Sequence, residues 1–76
     1  MRTLTQTLTL RTYEDGEELT IKRMDAKGNE LDRRVITHDA RETMEMIRAG
    51  MEAEPGYFVG AFHGGTNITE LAVYHG

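Results

Sequence analysis

Four carboxylates crowd into five residues at Glu14-Asp15-Gly16-Glu17-Glu18, the densest concentration of acidic groups in the chain. Paired carboxylates do acid–base chemistry when an enclosed, water-poor pocket pulls their pKa values apart. An Asp-Gly pair is instead a hairpin-turn signal, and a hairpin tip is solvated. What remains for Glu14, Asp15, Glu17 and Glu18 is electrostatic: an acidic tip complementary to a basic groove, including one that normally holds nucleic acid. Such complementarity raises association rates and selects partners.

The opposite charge gathers at Lys22, Arg23, Lys27, Arg33 and Arg34. A basic patch of this kind is the footprint of phosphate binding, and these five residues are the alternative, nucleic-acid-contacting set. Asp25, Glu30 and Asp32 are interleaved with them, and the net charge of −4 runs against general nucleic-acid binding. No pair of aromatic residues suited to stacking bases is evident on a central strand.

Other chemistry has little to work with. The chain contains neither serine nor cysteine, so no thiolate metal site or disulfide framework exists, and Thr3 is not at the terminus, where a threonine nucleophile would need to be. His38, His63 and His75 lack the short spacings of a zinc site. Gly60, Gly64 and Gly65 precede a strand with no lysine following, unlike a phosphate-binding loop. No catalytic residue, metal or cofactor is expected. Asn67-Ile68-Thr69 matches a glycosylation sequon, but without a secretory route it is a chance match. The N-terminal stretch lacks an apolar leader core, no apolar run approaches a membrane span, and the cytoplasm is the expected compartment.

These residues must be positioned by very little protein. Seventy-six residues accommodate one domain, residues 1–76, with a thin core. Residues 3–13 alternate threonine with leucine, the period of a half-buried strand, with Leu4, Leu8 and Leu10 on one face. A type I′ turn at Asp15-Gly16 sets Glu14 opposite Glu17, Leu10 opposite Ile21 and Thr12 opposite Leu19. Asp25-Ala26-Lys27-Gly28 reads as a type I turn followed by a left-handed glycine. In that register Leu19 faces Val35, Ile21 faces Arg33 and Lys22 faces Asp32. Leu19, Ile21, Leu31 and Val35 then share the core face, with Arg23 and Arg33 at its edge and Lys22 and Arg34 outside.

A helix begins near Asp39, where Asp39-Ala40-Arg41-Glu42 resembles a capping box. It presents Ala40, Met44, Ile47 and Met51 on one face, pairs Arg41, Glu45, Arg48 and Glu52 on the other, and ends at Pro55-Gly56. Met46 lies off the apolar face and is a candidate partner contact. Two strands follow, over residues 57–62 and 68–74, separated by a glycine-rich loop. The fold class is α+β: an antiparallel sheet of about five strands with one helix packed on one face, in the order β-β-β-α-β-β. Were the first strand on a sheet edge, its backbone would be free to pair with another chain; that strand, or the helix, is the expected route to a homodimer.

Taken as a plan, this chain resembles the small phage-encoded inhibitors of bacterial defence, the anti-CRISPR proteins. The shared features are the start at Met1, one small acidic domain without cysteine, hairpins around a single helix, and the acidic run from Glu14 to Glu18. The resemblance spans the whole chain and includes no shared motif, so it assigns no residue. It implies a viral inhibitor that acts in the cytoplasm of a bacterial host by stoichiometric binding to a host protein or ribonucleoprotein complex with a basic surface. The two alternatives are a nucleic-acid-binding regulator using the basic set, and an assembly subunit that oligomerises.

Overall fold

A computed structural model describes residues 2–76, except the side chains of Ala61 and Phe62. The strands are β1 (Thr3–Tyr13), β2 (Gly16–Met24), β3 (Glu30–Thr37), β4 (Tyr57–Gly64) and β5 (Ile68–His75), with the helix α1 (Ala40–Ala53) between β3 and β4. They form a five-stranded antiparallel sheet in the order β3-β2-β1-β5-β4, and α1 packs on one face of it against β1, β2 and β4. The expected α+β class and element order are therefore present. Phe62, which closes the expected apolar run of β4, has its side chain outside the described residues.

The core is where the leucine alternation meets the helix. Leu8, Leu10, Leu19, Ile21, Leu71 and Val73 from the sheet bury against Ala40 and Met44. Ile36, Ile47, Met51, Tyr57 and Val59 pack around them. The helical face expected from Ala40, Met44, Ile47 and Met51 is thus the one that docks.

The registers differ from expectation in ways that decide which residues reach which face. In the first hairpin the two turn residues are Glu14 and Asp15, and Tyr13 pairs with Gly16. Neither turn residue nor Gly16 has positive φ, so the type I′ turn at Asp15-Gly16 does not form. The slip keeps the faces unchanged, because it moves each partner by two residues. It places Leu10 opposite Leu19 and Leu8 opposite Ile21, so buried leucines and isoleucine pair with each other. Glu14 no longer faces Glu17, which removes a like-charge pair.

The second hairpin turns as expected, with Gly28 at φ 85°. The Asp25 carboxylate accepts the backbone N–H groups of Lys27 and Asn29 at 2.9 Å. These bonds, that from Asn29 foremost, hold the Asp25 pKa below its usual value. A bulge between Met24 and Arg23 then shifts β3 by one residue, so that Leu19 pairs with Ile36, Ile21 with Arg34 and Arg23 with Asp32. A one-residue shift exchanges the two faces of a strand. Leu31 and Val35, expected in the core, are 59% and 54% exposed, and Ile36 takes the core position instead. Arg33 moves to the open face and Arg34 to the helix side, the reverse of the expected placement.

A similar irregularity in β1 falls between Leu4 and Gln6. There Thr5 Oγ1 donates to the Val73 carbonyl at 3.1 Å, and Leu4 lines up with Tyr74 on the open face rather than with Leu8 and Leu10. Finally, β1 is the middle strand, paired with β2 and β5. Its backbone groups are occupied on both sides, so it offers no edge to a second chain. The sheet edges are β3 and β4.

Candidate acidic site at the hairpin tip

The β1–β2 turn, the β3–α1 loop and the first turn of α1 meet at one end of the molecule. Gly16, Glu17 and His38 line both of the grooves found there, of about 510 and 260 Å³. Asp39 and Glu42 line the first, Asp15 and Glu18 the second. Glu14 and Asp15 are exposed in the turn itself, and Tyr13 beside them is 51% exposed. The structure thus adds Asp39 and Glu42 to the carboxylates singled out in the sequence, although they lie far from them along the chain. No ion pair forms among the described residues for Glu14, Asp15, Glu18, Asp39 or Glu42.

Glu17 has a different role. It pairs with Thr12 on the helix side of the sheet, and its carboxylate accepts the backbone N–H of Arg41 at 3.1 Å and the Arg41 Nε–H at 3.4 Å. It therefore caps α1 from outside, satisfying one of the orphan amides of the first turn and meeting the positive end of the helix dipole. Asp39, the expected cap, makes no side-chain cap bond and sits in the left-handed region at φ 42°, ψ 24°. Arg41 is consequently used by Glu17 rather than Glu45, while Arg48 bonds Glu45 at 2.7 Å and Glu52 at 3.2 Å. With Glu17 only 27% exposed, the docking set proposed from the sequence loses one member.

His38 also has positive φ, 54°, beside Asp39. Two consecutive non-glycine residues in this region carry backbone strain, roughly 1–2 kcal/mol each for ordinary side chains. Replacing His38 with glycine releases that strain at a smaller entropic cost. The expected outcome is a gain of about 0.5–1 kcal/mol in chemical denaturation; a loss would mean that contacts of the imidazole outweigh the strain.

The basic set does not converge. Lys22 and Arg33 pair across the open face, whereas Arg23 and Arg34 lie on the helix side. Arg23 is held by both oxygens of Asp32, a bond that keeps the Asp32 pKa low and Arg33 bonds Glu30 at 3.1 Å. Lys27 sits in the β2–β3 turn. The three histidines are equally dispersed: His63 pairs with Glu70, His75 packs against Tyr57 with ring centroids 4.6 Å apart and the rings tilted by 59°, and His38 is in the β3–α1 loop. Among the described residues no group of three potential ligands is placed to hold a metal ion, and no helix is long and apolar enough to cross a membrane.

Comparisons with protein-family models, with curated proteins and with solved structures return no match.

Proposed function

We propose that this protein is a small non-enzymatic binding module that docks its acidic end onto a basic surface of another protein or ribonucleoprotein complex. The mode of action would be that of the phage-encoded inhibitors it resembles in plan: stoichiometric masking of a host defence complex in the bacterial cytoplasm. The observation that carries the reading is the meeting of Glu14, Asp15, Glu18, Asp39 and Glu42 at one end, with none of them in an ion pair among the described residues. Unpaired surface carboxylates of one sign project a field that steers a cationic partner. Tyr13, half exposed beside the turn, supplies the aromatic anchor that such interfaces favour. Glu17 supports the end indirectly, by tying the hairpin to the helix start.

The test separates docking from folding. Glu14→Lys, Asp15→Lys and Glu18→Lys are combined, leaving Glu17 and its cap in place, and the variant is compared with wild type as bait in a bacterial host lysate. Wild type is expected to retain a partner that about 0.5 M salt releases, and the folded variant to lose it. Equal capture by both proteins would remove the acidic end as the docking surface. The nucleic-acid alternative gains nothing from the arrangement of the basic set, whose members are split between faces and partly neutralised by Asp32 and Glu30.

A further inference from the structure

The helix covers one face of the sheet; among the described residues the other has no covering element, and only the Arg2 guanidinium lies over it, 4.3 Å from the centre of the Phe58 ring. On that open face the cross-strand register sets out clear rows. Val35, Thr20, Thr9, Glu70 and His63 form one row from β3 to β4. Below it, Arg33, Lys22, Thr7 and Ala72 form a second. At the far end Leu4, Tyr74 and Phe58 form an apolar row across β1, β5 and β4, with Met24 and Leu31 continuing it on the β2–β3 side. The Tyr74 ring lies directly over Gly60, where a Cβ would collide with it.

Exposed apolar side chains are concentrated here. Among the described residues the exposed large hydrophobics are Leu31, Val35 and Phe58 on this face, Tyr13 at its acidic end, and Met46 on the helix. Those on this face do not form one contiguous patch: Leu31 and Val35 are on the edge strand β3 and Phe58 is on the opposite edge strand β4, so they border a polar centre. The centre of the face is shallow because its residues are small: Thr7, Thr9 and Ala72 line a depression of about 320 Å³, with Lys22 on one side and Glu70 and His63 on the other.

We propose that the occupant of this face is a second copy of the same chain, related by a two-fold axis running along β1. Such an axis lays β2 of one copy over β5 of the other, and β3 over β4. Under that operation Arg11, exposed on β1, meets its own copy at the axis, and Glu18 of each chain, opposite it on β2, flanks the two guanidinium groups. Lys22 of each copy comes over Ala72 and beside Glu70 of the other, so two opposite-charge pairs form across the interface. The bulky Met24 and Leu31 corner meets the Tyr74 and Phe58 corner, and Thr9 meets Thr9 on the axis. Five strands about 4.8 Å apart and about eight residues long at about 3.3 Å each give a face of about 600 Å². The pair would bury about 1,200 Å², within the range of specific interfaces. An isologous interface requires this self-matching of one patch. Because the axis runs along the strands, both acidic ends lie on the same side of the dimer, with Tyr13 and Glu18 at the border of the paired faces and Glu14, Asp15, Asp39 and Glu42 outside them; the dimer does not depend on their function.

Sedimentation between 1 and 100 µM tests the proposal, together with the variants Lys22→Glu and Glu70→Lys, each checked for folding by circular dichroism. Wild type is expected to be dimeric at the upper concentration. Each variant juxtaposes like charges twice and is expected to weaken the dimer by at least about tenfold. An equimolar mixture of the two restores attraction at both contacts and is expected to give a dimer containing one copy of each. The double variant Lys22→Glu/Glu70→Lys is expected to dimerise by itself. A wild-type monomer at 100 µM would overturn the proposal, as would single variants that dimerise like wild type or a mixture that stays monomeric.

Discussion

Leu8→Ala is expected to lower the unfolding free energy by about 3 kcal/mol, within the range of roughly 2–5 kcal/mol for deleting a buried leucine side chain. Leu8 is 0% exposed and sits on the middle strand, opposite Ile21 on β2 and Leu71 on β5. Neighbours on both sides are fixed by backbone hydrogen bonds, so the sheet has little freedom to collapse into the space left behind. A chain of 76 residues has a total stability of about 4–11 kcal/mol. The substitution therefore removes a large share of it, and the urea midpoint should fall by about 2–3 M. Met46→Ala, at a residue 68% exposed on the helix, is the control and should change stability by less than about 0.5 kcal/mol. Both are measured at one low protein concentration, because a dimer adds stability by mass action. A Leu8→Ala midpoint within error of wild type would mean that the leucine face of β1 is not the core.

Leu8 was legible because its signal is local. The threonine–leucine alternation fixes a period of two, and Ala40, Met44, Ile47 and Met51 fix a helical stripe; each needs only its own segment to be read. The Gly28 turn is local in the same sense. The faces of Leu31, Val35, Arg33 and Arg34 were not legible because a single bulge decides them, and that bulge reflects a competition between pairings. Shifting β3 by one residue brings Ile36 against Leu19 and Arg23 against Asp32, and it leaves Leu31 and Val35 exposed. Neither the gain nor the loss is written in the hairpin's turn. The central position of β1 was hidden for a related reason: its partner β5 is more than fifty residues away along the chain, and strand order depends on that distant pairing.

The candidate site divides along the same line. Glu14, Asp15 and Glu18 were recognisable as a tip because they adjoin one another. Asp39 and Glu42 join them only through the path of β3, which returns the chain to the same end before α1 starts. The capping role of Glu17 is hidden for the same reason. In the sequence Asp39 has the cap position and a glutamate three residues on; in the fold its backbone turns left-handed and the cap comes from the hairpin, 24 residues before Arg41.

Glu17→Lys is therefore expected to destabilise the domain by about 2 kcal/mol, whereas reversing the neighbouring Glu14 should change stability by less than about 0.5 kcal/mol. Loss of the cap contributes about 1 kcal/mol. The remainder comes from placing a cation against the positive end of the helix dipole and against Arg41, where an anion had been favourable. Glu17→Gln separates the two effects: it retains an oxygen able to accept the Arg41 amide and should cost only about half as much. Amide hydrogen exchange locates the damage. In Glu17→Lys protection should fall first in the opening turn of α1, around Arg41 and Glu42, and later or not at all at Leu8 and Leu10 in the middle of the sheet. If Glu17 were simply one more solvated member of the acidic tip, its reversal and that of Glu14 would be equally mild, and exchange at the helix start would not change. The same pair of variants then divides the two duties of this end of the molecule: Glu14 can be reversed to probe docking with the fold intact, whereas Glu17 cannot.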